Sequence, residues 1–200
     1  MAETTLPKKE KTLNQKIEKE EGGLKKHKKD DYSTPTEILP FLYLSGVGGT
    51  EAHILNAHNI EIVVNVAQEL QTPRWSPDTD NITEHRVWIH DMVQDDQQDQ
   101  HHTFYRLFEI FDSVEKNNQR CLVHCMHGRS RSATAVIAYL MYRNKWSLRE
   151  SLQEVRSRRS LVGPHRHLKL QLIEWEKHFL QVLEPSIPIP PNTHALIRNM

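Results

Sequence analysis

Val123-His124-Cys125-Met126-His127-Gly128-Arg129-Ser130-Arg131-Ser132 is the stretch on which the reading of this chain turns. The β-rich run Arg120 to Val123 leads into it and the helix-like run Ala133 to Met141 leads out, which predicts a strand, a tight loop and a helix start. Five residues, one of them glycine, separate Cys125 from Arg131. A loop of that length curls with its backbone N–H groups toward a common centre, and such a nest at a helix N-terminus holds an anion. Cys125 at its base would feel those dipoles, the positive end of the helix and the guanidinium of Arg131, all of which favour thiolate over thiol. The planar fork of Arg131 can grip two oxygens of a tetrahedral phosphate and of the trigonal bipyramid that replaces it during transfer. The N–H groups of Met126, His127, Gly128, Arg129, Ser130 and Arg131 are the expected substrate-binding set. The chemistry indicated is phosphoryl transfer to sulfur.

Composition narrows the class without choosing within it. Lys+Arg and Asp+Glu number 26 each in 200 residues, so no net charge draws the chain to nucleic acid or to a membrane surface. Nucleic acid is not expected as the main partner. Two cysteines are too few for a disulfide framework. Cys121 and Cys125 fall in one strand, about 13 Å apart at roughly 3.3 Å per residue, beyond disulfide reach. No apolar run is long enough to span a membrane and no signal-peptide core is present, so a reducing cytoplasmic or nuclear setting is expected. Thirteen histidines raise the question of a metal. A Cys at a strand end with one nearby His does not make the usual four-ligand set, and a metal would quench the nucleophile, so neither metal nor cofactor is expected.

Residues 1–34 are dominated by Lys, Glu and Asp and read as a disordered tail. Its Lys25-Lys26-His27-Lys28-Lys29 cluster reads as a solvated charge run, with an import or docking patch as the alternative. A domain over 35–184 follows, opening on the alternation of Ile38, Phe41 and Tyr43 with Leu39, Leu42 and Leu44, then a turn at Gly46 to Gly49. Thr50 is placed to cap a short helix running to Asn59. Ile60 to Ala67 reads as a buried parallel strand with Asn65 as its polar exception. Glu69 to Asn81 reads as a loop in which Trp75 packs, with a lid aromatic as the alternative, and Arg86 to His90 as a short strand. A polar loop with Asp91, Asp95 and Asp96 precedes a helix over Thr103 to Lys116, whose Phe104, Leu107, Phe108, Phe111 and Val114 recur at helical spacing. Ser147 and Glu150 form a capping box for the next helix. Arg156 to Ser160 ends that helix with positive charge, a structural role that leaves open contact with a second substrate phosphate. A last helix is expected from His165 to about Leu183, with Leu168, Leu172, Trp175 and Phe179 as its buried stripe. Residues 185–200, Pro-rich as far as Pro191, read as an extended tail.

His124-Cys125, five residues, then Arg131-Ser132 resembles the His-Cys-x5-Arg-Ser signature of cysteine-dependent protein phosphatases. The continuation Ser130-Arg131-Ser132-Ala133-Thr134 is similar to the dual-specificity branch, and the resemblance covers about Pro35 to Leu183. It implies an α/β fold with a mostly parallel central sheet flanked by helices, and hydrolysis of phosphotyrosine and phosphoserine or phosphothreonine in phosphoproteins through a cysteinyl-phosphate. It also implies that Asn65 supports the phosphate loop and that His124 orders it and tunes Cys125 from beneath. By similarity to the family's order of strand, Asp and loop, Asp91 is the expected general acid, with Asp95 or Asp96 as the alternative. Ser132 is either a hydrogen-bond donor to the sulfur or a helix-start hydroxyl. His127 stands where protein phosphatases of this branch usually have a small residue, and the His-Gly pair is similar to RNA 5′-polyphosphate-cleaving relatives. Arg129, within Gly-Arg-Ser-Arg-Ser, is similar to phospholipid-directed members, and His165 stands where the family often has Asn. Those two substrate classes, and a phosphoprotein-binding module without turnover, are the alternative readings.

Overall fold

Every residue of β2 (Leu42–Gly46), β3 (Ile62–Asn65) and β5 (Cys121–Cys125) is buried, which is what central strands covered on both faces require. The computed structural model describes residues 32–76, 81–90 and 97–189, with backbone alone for 97–100. Two outer strands, β1 (Thr36–Leu39) and β4 (Thr83–Arg86), complete a five-stranded sheet in the order β1-β2-β5-β3-β4. Only β1 runs antiparallel to its neighbour; the other three pairings are parallel, as the α/β expectation requires. Around the sheet lie α1 (Ala52–Ala57), α2 (Gln97–Lys116), α3 (Arg131–Asn144), α4 (Leu148–Arg158) and α5 (Arg166–Leu180).

Because side chains alternate along a strand, the central strands feed two cores of unequal size. Leu42, Leu44, Val64, Cys121, Val123 and Cys125 join the larger one, with the inner faces of α2, α3, α4 and α5. Its densest part is aromatic: Trp175 is fully buried and packs edge-on to Phe104 and Phe108, while Tyr139 packs against Phe111. Tyr43, Val63 and Leu122 point the other way into a small core closed by Leu55 of α1, Ile60, Ile82 and Trp75. Trp75 is therefore a packed residue of the loop, as expected. In strand register, Ser45 stands beside His124 and His124 beside Asn65, on the small-core side at the carboxyl ends of three adjacent strands. The polar exceptions of the apolar strands thus meet directly below the β5–α3 loop.

Several boundaries differ from the sequence expectation for identifiable reasons. The strand expected at Arg86 to His90 lies earlier, at β4, where residues 83–86 pair in parallel with 62–65. Val87 and Ile89 continue from it only as single N–H donors to Asn65 and Val66. Thr50 does not cap α1: its hydroxyl donates to the Val47 carbonyl, 2.8 Å away, and Glu51 occupies the N-cap position without a side-chain bond. Helix α2 begins at Gln97 rather than Thr103, since its first turns carry no apolar stripe for periodicity to detect. The capping box at Ser147 and Glu150 is present. Helix α5 stops at Leu180 because Gln181 takes a left-handed conformation with φ 54°, the usual way a helix is terminated.

Beyond α5 the chain folds back. The buried carboxylate of Glu176 accepts the Leu148 N–H at 2.7 Å and the Ser186 N–H at 2.9 Å. The stretch read as a Pro-rich tail therefore begins with docked residues, and Ile187 packs against the core. No helix among the described residues is long and apolar enough to cross a membrane. Glu176→Ala would strand both N–H groups and is expected to cost about 2–3 kcal/mol, lowering Tm by roughly 5–10 °C in a thermal melt. Glu176→Gln, which keeps one acceptor, is expected to lose less.

Candidate active site

The β5–α3 loop, residues 126–130, is held by donors that reach its carbonyls from outside. Val47 N–H donates to the Met126 carbonyl at 3.2 Å and Gly163 N–H to that of Arg129 at 3.0 Å. The buried guanidinium of Arg159 donates to the Gly128 carbonyl at 3.1 Å and also binds the Thr34 carbonyl and the Thr36 hydroxyl. A peptide unit whose C=O is turned outward has its N–H turned inward, which is what an anion nest needs. The loop also lies flat on the end of β2. Gly128 has φ +65°, and a Cβ there would sit 2.5 Å from Gly46 N, so glycine is required on both counts. Gly46 has the same constraint from beneath, since a Cβ on it would meet the Met126 carbonyl at 2.9 Å.

Cys125 ends β5 facing this nest, 3% exposed. Burial alone would raise its pKa. Against it act the Ser132 hydroxyl, with Oγ 3.2 Å from Sγ, and the backbone N–H groups of Ser132, Gly128 and His127; together they outweigh burial and hold the thiol below its ordinary value. Ser132 is thus both the second residue of α3 and a partner of the sulfur, so the two roles left open in the sequence coincide. Cys121, four residues earlier in the same strand and deep in the core, has no such donors among the described residues, and burial pushes its thiol far up. Both cysteines are free.

His124, directly before Cys125, is 3% exposed and its pKa is pushed down to about 4, chiefly by burial. A weak approach to the Cys125 backbone offsets this only in part, and neither ring nitrogen makes a well-formed hydrogen bond among the described residues. The imidazole is therefore neutral near pH 7 and adds no charge to the thiolate. Its backbone does bind, with its carbonyl accepting the Val66 N–H at 3.1 Å.

Asn65 acts at one remove from the loop. Its Oδ1 accepts the Ala67 N–H at 2.9 Å and its Nδ2 donates to the Leu70 carbonyl at 2.5 Å, closing the turn that carries Glu69. Glu69 then takes Arg131 end-on, with Nη1 to Oε2 at 2.7 Å and Nη2 to Oε1 at 2.5 Å. The hydrogen bonds from Arg131 hold the Glu69 carboxyl below its ordinary range. Nothing in the spacing of Glu69 marks it in the sequence; it is a carboxylate in an irregular loop, and only the fold brings it to an arginine 62 residues away.

A cleft of about 310 Å³ opens over Cys125. Met126, His127, Arg129, Ser130 and Arg131 form its loop side, and Tyr32 and His165 close it from outside the loop. Tyr32 packs edge-on to His127 with ring centroids 5.0 Å apart, and its carbonyl accepts the Gly46 N–H. The His165 N–H donates to Ser130 Oγ at 3.0 Å. Neither Tyr32 nor the cleft-side place of His165 follows from the sequence, because both depend on where the chain crosses the strand ends. Asp91, Asp95 and Asp96 lie outside the described residues. Among the described residues no cluster of three His, Cys, Asp or Glu is arranged to hold a metal.

Residues 42–178 match the family model described as dual specificity phosphatase, catalytic domain. The chain is 33% identical to dual specificity protein phosphatase 1 of Homo sapiens over 168 residues, which are 83% of this chain and 43% of that protein. It is 35% identical to dual specificity protein phosphatase 4 of Homo sapiens over 167 residues, 80% of this chain and 40% of that one. The chain thus spans well under half the length of these curated relatives. Among solved structures, human tyrosine phosphatase-like serine/threonine/tyrosine-interacting protein superposes with TM-score 0.64 at 26% identity, covering 74% of this chain and 99% of that one. Human DUSP28 superposes with TM-score 0.61 at 27% identity over 74% and 95%.

The hydrogen bonds to Cys125 predict its reactivity. Above its depressed pKa the sulfur is a thiolate, so alkylation by iodoacetamide should rise with pH through a midpoint below the value of about 8.5 for a free cysteine. Ser132→Ala removes a donor that favours the charged form and should move that midpoint upward. Cys121 should stay unlabelled in the native protein, which mass mapping of the alkylated site checks.

Proposed function

This chain belongs to the dual specificity phosphatase family, and from that premise we propose that it hydrolyses phosphotyrosine and phosphoserine or phosphothreonine in phosphoproteins. The observation that carries the reading is the set of N–H groups from His127, Gly128 and Ser132 directed at a buried, acidified Cys125 beside Arg131. A nest that lowers a thiol's pKa is also one that stabilises the equatorial oxygens of a phosphoryl group above it, at a few kcal/mol per well-placed donor.

The proposed reaction has two steps. The Cys125 thiolate attacks phosphorus in line; the S–P bond forms, the bond to the substrate oxygen breaks, and protonated Asp91 gives its proton to that oxygen. Water then attacks the cysteinyl-phosphate, Asp91 takes a proton from the water, and the S–P bond breaks as inorganic phosphate leaves. The Ser132 hydroxyl, hydrogen-bonded to sulfur, eases the return of the thiolate. Asp91 is assigned by the family's pattern, with Asp95 or Asp96 as the alternative. Arg131 serves as a clamp. Glu69 accepts from the end-on pair of the Arg131 guanidinium, whereas a phosphate approaching from the loop would meet the side-on pair, Nε and one Nη, so one fork can serve two anions. Asn65 and His124 are supporting residues: one fixes the turn that presents Glu69, the other fills the space beneath the loop without charge. A compartment that keeps thiols reduced, cytoplasmic or nuclear, suits this chemistry. The catalytic unit is assigned to 35–184, with Tyr32 and Thr34 bonded to it from the N-terminal side and Ser186 from the C-terminal side.

Phosphate release by wild type and Cys125→Ser, on phosphotyrosine and phosphothreonine or phosphoserine peptides, RNA 5′-triphosphate and an acidic phospholipid, tests the reading. Cys125-dependent release from the peptides supports it, and release confined to RNA or lipid overturns it. Asp91→Ala should slow alkyl and unactivated aryl phosphates far more than activated ones; if both rates are unchanged, the acid lies at Asp95 or Asp96.

The Glu69 pairing adds a separate expectation. Glu69→Gln loosens the guanidinium and should lower kcat/KM about tenfold. Arg131→Lys, a point charge without the fork, should lose considerably more. Steady-state kinetics on one phosphotyrosine peptide checks both.

A further inference from the structure

Several of the basic residues around the catalytic loop are committed to the protein itself. Arg131 is paired end-on with Glu69. Arg159, in the run read as available to a second substrate phosphate, is 5% exposed and binds Gly128, Thr34 and Thr36. Arg156 donates from Nε to the Val162 carbonyl at 3.0 Å, and Arg158 pairs with Glu154 at 2.7 Å. Arg129 is different. Its backbone carbonyl is tied to Gly163, but its exposed side chain makes no hydrogen bond or ion pair among the described residues.

The position of that side chain is defined. Its Nε and Nη2 lie 3.7 and 3.9 Å from where a Cβ on Gly163 would stand, so the guanidinium lies across the turn that leads to His165. Arg129 and His165 thus stand together on the α5 side of the cleft, and no carboxylate is among its described lining residues. One phosphoryl group over Cys125 is already served by the loop N–H groups and Arg131. An uncommitted planar donor beside it is matched by a second anion, not by a second hold on the first.

We propose that Arg129, with His165, forms a second anion subsite that selects phosphopeptides carrying a carboxylate or a further phosphate next to the phosphoresidue being hydrolysed. This rests on the protein-phosphatase reading for the identity of the ligand but not for the existence of the subsite. Arg129 is here a specificity residue, separate from the Arg131 clamp. The subsite lies at the rim, so its contribution is screened by salt.

The test uses the full chain and matched phosphotyrosine peptides whose adjacent residues are Ala, Glu or phosphothreonine. Rates are measured with wild type and Arg129→Ala, and affinities with the same two forms on a Cys125→Ser background. The anionic peptides are expected to be preferred about tenfold by wild type, in kcat/KM and in affinity. Arg129→Ala is expected to bring the ratio to within about twofold, Arg129→Lys to restore part of it, and raised salt to shrink it. A wild-type ratio near one, or a ratio that survives Arg129→Ala, overturns the subsite. Absence of turnover with the affinity ratio intact overturns the phosphatase reading and leaves the subsite standing. Anion preference seen only with RNA 5′-triphosphate or a phosphoinositide, and not with the peptides, overturns the peptide assignment.

Discussion

The site depends on the outward anchoring of the loop carbonyls. Five residues between a strand and a helix have many conformations available, and N–H groups that converge on one point repel each other in the absence of an anion. Hydrogen bonds from Val47, Gly163 and Arg159 to the carbonyls of Met126, Arg129 and Gly128 fix the peptide planes from three directions. The anchors come from the segment after β2, the turn before α5 and the residue ending α4, so the nest is built by the tertiary fold and not by the loop's own sequence. Burying the Arg159 guanidinium is costly unless its donors are met, and its bonds to Thr34 and Thr36 also tie the loop to the edge strand. The preorganisation that would stabilise a phosphoryl group is thereby set before any ligand arrives.

How much of this can be read from the sequence follows from the range of each interaction. The strand, loop and helix around Cys125 are local, and the spacing of Cys125, Gly128 and Arg131 carries them directly. The Ser147 and Glu150 capping box and the aromatic stripe of α2 are legible for the same reason, since both partners sit within one or two turns. Asn65 is visible as a polar residue in an apolar strand, but its work is not: it closes the 65–70 turn, and only through Glu69 does it reach Arg131. Tyr32, Glu69 and Gly163 carry no local signature, because each acquires its place from a crossing of distant segments. Arg156, Arg158 and Arg159 form a charge run in sequence that the fold divides among three separate uses, a carbonyl, an ion pair and a buried anchor.

Charge around the cleft is arranged by the same economy. Glu69 neutralises Arg131 while orienting it, which keeps the guanidinium in one pose at the expense of net attraction for an anion. The Glu69 side chain is 46% exposed, so solvent screens much of that neutralisation while the bidentate geometry remains. Orientation is retained at a smaller electrostatic loss than a buried pair would impose. His124 contributes by being uncharged. A protonated imidazole beneath Cys125 would favour thiolate, yet burial lowers its pKa to about 4 and leaves that task to hydrogen bonds.

The two cysteines make the point most sharply, because they share a strand, a face of the sheet and nearly complete burial. Cys121 and Cys125 both end up in the larger core, and desolvation raises the pKa of each. Among the described residues only Cys125 has donors within reach, from the Ser132 hydroxyl and from N–H groups of the loop, and there the direction of the shift reverses. A low-dielectric setting both strengthens a hydrogen bond to a charge and penalises the charge left alone. Burial is the largest single influence against the Cys125 thiolate, and the fixed donors around the sulfur together outweigh it. The same burial, with no donors to oppose it among the described residues, keeps the other cysteine of the strand inert.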